Sequence, residues 1–213
     1  MTEQKSPSRP RFPEDEEKQP WLPLLLDAYA VIDEGVGKAI EAVKIRRGAA
    51  LACSKGCSNC CIALSDIPIY PLEMVGIYWY AVEKLTGDER LILLKNLTGH
   101  KPGAPCPFLI EKTCSIHPMR PIACRQFNVF GSPCSDGEDP FHTMRKDVLT
   151  PWVEYTNRAF SIMLPFYGVT DEAMKTKVIK EGLLHTQVRV LQELPWIELA
   201  GRMEKFDLTG SSQ

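Results

Sequence analysis

The cysteines constrain this chain more than any other feature of its sequence. Four of the eight lie within nine residues and form the pattern C-x3-C-x2-C-C: Cys53, Cys57, Cys60 and Cys61. The other four are spread along a proline-rich stretch: Cys106, Cys114, Cys124 and Cys134. Thiols grouped in this way must be buried, cross-linked or bound to a metal, and each choice requires a different fold.

Two interpretations need no metal. The first four cysteines fall on one helical face and could form a buried apolar stripe, since cysteine is a good small core residue. However, the residues between them are poor helix formers: Ser54, Gly56, Ser58 and Asn59. Four disulfides would suit an exported protein, but the first twenty residues lack the apolar segment of a secretory signal. We therefore predict that all eight cysteines are metal ligands.

The kind of metal site stays open at this point. The spacing Cys57-x2-Cys60 occurs in both zinc and iron–sulfur sites. Neighbouring side chains point in different directions on most backbones. We therefore expect Cys60 and Cys61 to serve different sites, or one of the two to remain free. Eight thiolates could form two four-thiolate zinc sites, one or two iron–sulfur clusters of the [4Fe-4S] kind, or one cluster with spare redox thiols. We also expect the two cysteine sets to converge on a shared quartet: Cys57, Cys60, Cys106 and Cys124.

Two arginines flank Cys124 and are predicted to bind the cofactor. Arg125 follows this cysteine directly, and Arg120 precedes it by four residues. A thiolate-ligated site is anionic, so nearby guanidinium groups would offset its charge and donate hydrogen bonds to sulfur. On this hypothesis, replacing Arg125 alters the cluster without unfolding the helices. The alternative is that both arginines face solvent, and His117 is expected to be a loop residue rather than a ligand.

The combined motifs resemble a known family. After C-x3-C-x2-C-C come C-P-F-L from Cys106 and C-S-I-H-P-x-R-P-x-x-C-R-x-F from Cys114. Over residues 50–135 this pattern resembles the YkgJ-type cysteine-cluster family, a zinc- or iron-chelating domain of the CxxCxxCC type. The chain has one extra residue between Cys53 and Cys57, and His117 stands where an aromatic residue is common. The resemblance implies metal binding. It also suggests a redox or methyl-transfer enzyme, because bacterial flagellin lysine N-methylase belongs to this family, and an interaction module with structural zinc is a further alternative.

Outside the cysteines, the sequence predicts a mainly α fold. Apolar residues recur at helical spacing. The predicted helices are 21–47, 71–86, 88–99, 151–165, 171–184 and 186–206, the last interrupted by Pro195. We expect one domain over 21–208, with metal-binding motifs at 50–135 and C-terminal helices at 150–208. Residues 102–140 contain seven prolines and are predicted to form an irregular metal-binding layer. Residues 1–20 contain four prolines and few apolar residues, so we expect a disordered tail.

Net charge and hydropathy limit the classes of partner expected for this protein. Twenty-five basic against twenty-seven acidic residues give a net charge of −2, which argues against a nucleic-acid binder. No apolar run reaches the ~18 residues of a membrane-spanning helix. Nucleotide-binding glycine motifs are also absent from the sequence. The expected location is the cytoplasm, and the expected partner is an unidentified protein or redox partner.

Overall fold

The chain is mainly helical. A computed structural model describes residues 9–210, and within them short strands accompany ten α-helices, which confirms the predicted fold class. The helices are α1 (Pro13–Lys18), α2 (Trp21–Arg47), α3 (Asn59–Ala63), α4 (Pro71–Glu83), α5 (Gly87–Gly99), α6 (Ile122–Gln126), α7 (Pro140–Thr143), α8 (Val153–Met163), α9 (Glu172–Lys180) and α10 (Ile197–Gly210). None of these helices is both long and apolar enough to cross a membrane.

The strands are two residues long and form two antiparallel pairs. They are β1 (Pro68–Ile69), β2 (Leu109–Ile110), β3 (Thr113–Cys114) and β4 (Arg189–Val190). Strand β1 pairs with β4, and β2 pairs with β3. The helix predicted over 186–206 is therefore wrong in its first half, because Arg189 and Val190 pair with an earlier segment. The helix begins only after Pro195.

The described residues divide into two compact units, each built from three separate stretches of chain. The first unit comprises 9–53, 122–133 and 140–188. The second unit comprises 54–121, 134–139 and 189–210. The single domain expected over 21–208 stays a prediction.

The first unit is organised by the long helix α2. Its buried side chains repeat at helical spacing, as the sequence predicted: Leu22, Leu25, Leu26, Tyr29 and Ile32. The helix ends at Gly48, which has the left-handed backbone (φ 63°) that glycine adopts without strain. Helix α8 packs along α2, and Tyr155 of α8 lies so close to Gly35 of α2 that there is no room for a Cβ at this glycine. A small cluster of buried apolar residues lies at the far end of α2: Ala39, Phe130 and Leu149.

The N-terminal segment is more ordered than the sequence predicted. The expected disorder does not hold for residues 13–18, where Pro13 opens α1 and acidic residues fill its first turn. The guanidinium of Arg9 binds Glu16 at 2.7 Å and also Asp27 of α2. Composition alone could not show these ion pairs. The rest of the predicted tail, residues 1–8, lies outside the described residues.

The second unit packs α10 against α4 and α5. Helix α4 begins at Pro71, with Glu73 fully buried and accepting a hydrogen bond from the backbone N–H of Tyr70 at 3.0 Å. Trp196, just before α10, packs edge-on against Phe108, with ring centroids 4.8 Å apart. Because Phe108 lies two residues after Cys106, this aromatic contact anchors the segment around Cys106 on the helices of the second unit.

A tight hairpin joins β2 to β3. Its two turn residues, Glu111 (φ 45°) and Lys112 (φ 67°), both have left-handed backbones, as a type I′ turn requires. Residues with a Cβ adopt this conformation at a cost of about 1–2 kcal/mol each, and Asn-Gly is the favoured pair in such turns.

Replacing Glu111 by Asn and Lys112 by Gly should therefore raise the free energy of unfolding, by about 1 kcal/mol or more. Urea denaturation measures the change. The matched control is Lys101→Gly at an exposed loop lysine without positive φ, which should be neutral or slightly destabilising because glycine adds freedom to the unfolded chain. If the turn variant and the control changed the free energy of unfolding equally, the claim that this turn is strained would be wrong.

Candidate metal centre

The eight cysteines are divided unequally between the two units. Cys53 and Cys124 belong to the first unit, and the remaining six belong to the second. All eight are thiols rather than disulfides, and Cys57 is exposed whereas the others are partly buried.

Helix α3 carries the end of the first cysteine set. The chain turns at Gly56 (φ 83°), and the N–H of Cys57 donates to the carbonyl of Ser54 at 3.0 Å. Helix α3 then begins at Asn59 and presents Cys60 and Cys61 in its first turn. This turn explains why glycine and small polar residues separate the cysteines.

The two cysteine sets converge in the second unit. The backbone N–H of Cys106 donates to the carbonyl of Cys61 at 2.8 Å. The thiols of the same two residues also hydrogen-bond, and Cys114 lies close enough to act electrostatically on Cys61. Because Leu109 pairs with Cys114 across the hairpin, β2 and β3 hold Cys106 and Cys114 together. The two sets therefore meet, as predicted, at Cys61, Cys106 and Cys114; of these only Cys106 belongs to the quartet predicted from the sequence, and the inclusion of Cys57 and Cys124 stays a prediction.

Cys60 completes this group, because its thiol hydrogen-bonds to that of Cys61. We call Cys60, Cys61, Cys106 and Cys114 the thiol quartet. The expectation that the side chains of Cys60 and Cys61 diverge is wrong, whereas the expectation that they serve different sites, or that one stays free, stays a prediction. Successive residues of an α-helix are about 100° apart rather than opposed as in a strand, so two neighbouring thiols on α3 can meet.

Cys60 and Cys61 hold their protons tightly. The hydrogen bond to Cys61, followed by burial, raises the pKa of Cys60 well above its usual range. The hydrogen bond to Cys106 is the main cause that raises the pKa of Cys61 to about 12; burial also raises it, and the contact with Cys60 opposes it. These thiols are therefore neutral near pH 7 and must lose protons before they can bind a metal.

The donor chemistry of the quartet fits zinc or iron. Soft sulfur ligands are those that zinc and iron–sulfur clusters select. Within residues 9–210, no three His, Cys, Asp or Glu side chains are already arranged to hold a metal ion. Ligation by the quartet would accordingly require proton loss and rotation of the thiols between side-chain rotamers.

Cys57 and Cys134 form a second, separate pair of thiols in this unit. The link between them is the side chain of Asn59, whose Nδ2 donates to the carbonyl of Glu138 at 2.6 Å. Its Oδ1 accepts from the N–H of Gly137 at 2.9 Å. We call these two bonds the Asn59 clamp. Burial, with an electrostatic contribution from Cys57, raises the pKa of Cys134, and Asn59 hydrogen-bonds to that thiol.

Gln192 fixes the chain where it leaves α3. This side chain is fully buried. Its Oε1 accepts from the N–H of Ile67 at 3.2 Å, and its Nε2 donates to the carbonyl of Leu64 at 2.8 Å. Sequence analysis missed both Asn59 and Gln192 as supports of the site. Nothing in the sequence marks either residue, since Gln192 lies in a mixed segment directly before Glu193.

The two predicted cofactor arginines lie in different units. Arg125 of α6 is 4% exposed; its Nη1 is 2.7 Å from Oδ2 of Asp33, and its guanidinium stacks 3.9 Å from the ring centre of Tyr29. The solvent-facing alternative is therefore wrong for Arg125. Arg120 is half-buried in the second unit, directly after a short 3-10 helix (His117–Met119) in which His117 is exposed. Cofactor binding by both arginines stays a prediction.

The cysteines of the first unit have their own surroundings. The sulfur of Cys53 accepts a hydrogen bond from the backbone N–H of Val129 at 3.3 Å. Cys124 is half-buried on α6. Their role as metal ligands, like that of Cys57 and Cys134, stays a prediction.

Comparison with protein families gives a match over the cysteine-bearing part of the chain. Residues 52–147 match a family model. Its description is "CxxCxxCC: Putative zinc- or iron-chelating domain". The match confirms the resemblance seen in the sequence motifs, includes all eight cysteines and indicates a zinc- or iron-chelating function. It covers 96 of the 213 residues. Comparison with curated proteins and with solved structures gives no significant match.

Proposed function

We propose that the protein binds zinc or an iron–sulfur cluster through the thiol quartet. The observation that carries this proposal is the double contact between Cys61 and Cys106, which joins the two cysteine sets through both backbone and thiols. These residues are 45 positions apart in the sequence. Such a convergence of soft donors supports ligation better than an inert core, because the sulfurs remain only partly buried.

Two elements would supply two ligands each. Helix α3 contributes Cys60 and Cys61, while the hairpin formed by β2 and β3 holds Cys106 and Cys114. A bound cluster would supply one-electron chemistry, whereas zinc would act as a structural cross-link. In both cases the free energy of ligation would add to the stability of this irregular, proline-rich part of the chain.

The proposed cellular location and the proposed kind of partner both follow from this chemistry. Thiolate ligands persist in a reducing compartment, so we place the protein in the cytoplasm, where disulfides are rare. If the site holds an iron–sulfur cluster, the partner is a protein that exchanges electrons with it; if it holds zinc, the partner is one bound by the cross-linked surface.

Metal analysis of protein purified without oxygen tests the proposal. Wild type should contain zinc, or iron and acid-labile sulfide with a brown colour, and the second result would favour a redox or methyl-transfer enzyme over structural zinc. Cys61→Ser and Cys106→Ser should each lose the metal. Cys134→Ser removes a thiol outside the quartet and is the comparison: metal retained in this variant alone would assign ligation to the quartet, whereas metal lost in all three would extend the site to Cys134. Full metal content in both quartet variants would contradict the proposal.

Metal loading should also depend on pH. Because the pKa of Cys60 and Cys61 is raised, the neutral thiols must give up protons on ligation, so the apparent affinity should rise with pH. The expected slope is about tenfold per pH unit for each proton released. Chelator competition at several pH values measures the slope, and an indicator dye in weak buffer counts the protons. An affinity independent of pH would show that the ligands are already thiolates.

A further inference from the structure

Helix α5 contacts the segment that carries two of the four quartet thiols. Asn96 is half-buried on this helix, and its Nδ2 donates to the carbonyl of Pro107 at 3.3 Å and to that of Leu109 at 3.2 Å. Pro107 follows Cys106 directly, and Leu109 pairs with Cys114 across the hairpin. Asn96 therefore holds the backbone beside both of these cysteines.

The carbonyl between these two is held from within the hairpin. Ser115 is buried, and both its backbone N–H and its Oγ donate to the carbonyl of Phe108, at 2.9 Å and 3.0 Å. Three consecutive carbonyls after Cys106 thus accept hydrogen bonds. Asn96 is the donor that comes from outside the hairpin, so it fixes where this piece of the site lies relative to α5.

The other ligand-bearing piece, α3, is held by Gln192 through Leu64. The N–H of Leu64 donates to the carbonyl of Cys60 at 3.2 Å, which closes the last turn of α3. The carbonyl of Leu64 accepts from Gln192. The backbone also fixes Gln192 in place, since the N–H of Leu191 donates to the carbonyl of Ile67 at 2.9 Å. A shift of Gln192 would therefore displace the end of α3 that carries Cys60.

His100 joins Gln192 to the helix that holds the hairpin. It follows the last residue of α5, and its Nε2 lies 2.9 Å from the backbone carbonyl of Gln192. Because a carbonyl only accepts hydrogen bonds, this ring nitrogen carries the hydrogen. Asn96 lies about one helical turn before His100, so both ligand-bearing pieces are attached to the same end of α5. We call Asn96, His100 and Gln192 the α5 frame.

Neither ligand-bearing piece can hold its position alone. Helix α3 has five residues, and isolated helices of this length are not stable in water. The hairpin has strands of two residues, and an isolated hairpin is at best marginally stable. Metal–sulfur bonds of about 2.3 Å require four sulfurs at fixed distances from one another. Ligation therefore depends on the contacts that hold the two pieces in place.

We propose that the α5 frame sets the distance between the two halves of the thiol quartet and thereby controls the affinity and the geometry of metal binding. The proposal rests on the proposed metal binding by the quartet. The frame residues are positioning residues, because their hydrogen bonds go to backbone groups rather than to thiols. Gln192 lies beyond the family match at 52–147, so part of this control comes from outside the shared cysteine-bearing domain.

Titration of the metal-free, full-length protein with Co²⁺ tests the frame, because the absorption bands of thiolate-bound Co²⁺ depend on ligand geometry. Asn96→Ala should weaken Co²⁺ binding by about 10–100-fold, the usual cost of losing a group that orients metal ligands. It should also shift the bands of the fully loaded protein. Thr98→Ala is the matched control on the same helix, because the Thr98 hydroxyl donates to the carbonyl of Leu94 within α5, and it should change neither.

A pair of variants at His100 separates positioning from a loss of stability. His100→Gln keeps a side-chain N–H close to the place of Nε2, so it should retain the wild-type affinity for Co²⁺, whereas His100→Ala should weaken it. Equal weakening in both would overturn the role of this hydrogen bond. Asn96 and His100 are half-buried rather than core residues, so their variants should fold, and circular dichroism of the metal-free proteins checks this.

The outcomes distinguish the frame from the site that it supports. Wild-type affinity and wild-type bands in folded Asn96→Ala and His100→Ala would overturn the proposal, even if urea denaturation showed both variants to be less stable. Failure of the wild-type protein itself to bind Co²⁺ would refute metal binding by the quartet, and the frame with it.

Discussion

Replacing Arg125 by alanine should lower the free energy of unfolding by about 3–5 kcal/mol. The side chain is 4% exposed, and its ion-pair partner Asp33 is 14% exposed. Removing the guanidinium leaves the Asp33 carboxylate in this poorly hydrated place without its cation, and it also removes the stacking on Tyr29. Alanine is a better helix former than arginine, so a loss of stability cannot come from helix propensity. Urea denaturation of the metal-free protein measures the change without any contribution from ligation.

A matched control lies next to Asp33 on the same helix. Glu34 pairs with Lys38, but these side chains are 43% and 52% exposed, so Glu34→Ala should cost no more than about 0.5 kcal/mol. A double-mutant cycle with Asp33→Ala isolates the buried pair, and the double variant should be more stable than the sum of the single effects predicts. A loss below about 1 kcal/mol in Arg125→Ala would mean that water reaches the pair more freely than its burial indicates.

The same variant separates two roles of this arginine. From the sequence, Arg125 was expected to tune a cluster, and its removal was expected to leave the helices folded. The structure adds a structural role that the sequence could not show, since the ion pair joins α6 to α2 over 92 positions. A variant that loses stability but keeps its metal content would assign Arg125 to the scaffold alone. Loss of metal from protein that is still folded would support the original prediction.

Gly35→Ala should destabilise the protein by about 1–3 kcal/mol, although alanine normally strengthens a helix. A Cβ at this position would lie 2.4 Å from Cγ and 2.5 Å from Cβ of Tyr155. These atoms are at the base of the tyrosine side chain, so rotation of its outer bonds cannot relieve the clash. Helices α2 and α8 would have to separate, which loosens the packing around Tyr155.

Gly37 provides the comparison, two residues further along the same helix. A Cβ there would meet nothing within 4 Å, so Gly37→Ala should stabilise the protein by about 0.5–1 kcal/mol. The opposite signs of the two changes make a sharp test by thermal or urea denaturation. A stabilising Gly35→Ala would show that α2 and α8 can move apart without cost.

The elements predicted most accurately from the sequence are those whose boundaries depend on neighbouring residues. The end of α2 follows from the basic residues before Gly48, and the start of α4 follows from Pro71. Prediction from the sequence was wrong where contacts between distant residues determine the conformation. The ion pairs of Arg9 order α1, and pairing with β1 turns Arg189 and Val190 into a strand rather than a helix. The hairpin turn at Glu111 lacks the Asn-Gly pair that is typical of type I′ turns, so no local sequence pattern predicts it.

The same division applies to the candidate site. The cysteine spacing predicted a shared centre, because thiols in proline-rich segments need a cross-link, and the structure brings Cys61 to Cys106. The spacing could not predict which thiols group together, since that depends on the short length of α3 and on the hairpin that holds Cys114. The supports Asn59 and Gln192 act through single hydrogen bonds between distant segments, and such contacts leave no periodic signal.

The discontinuity of the second unit has a consequence for its biosynthesis. Gln192, which fixes the chain after α3, follows Cys61 by 131 positions. At translation rates of about 5–20 residues per second, roughly 7–25 seconds separate the synthesis of the two residues. Helix α10, which completes this unit, is made later still. Cys60 and Cys61 are therefore synthesised well before Gln192 exists, and during this interval their thiols are open to oxidation and mispairing.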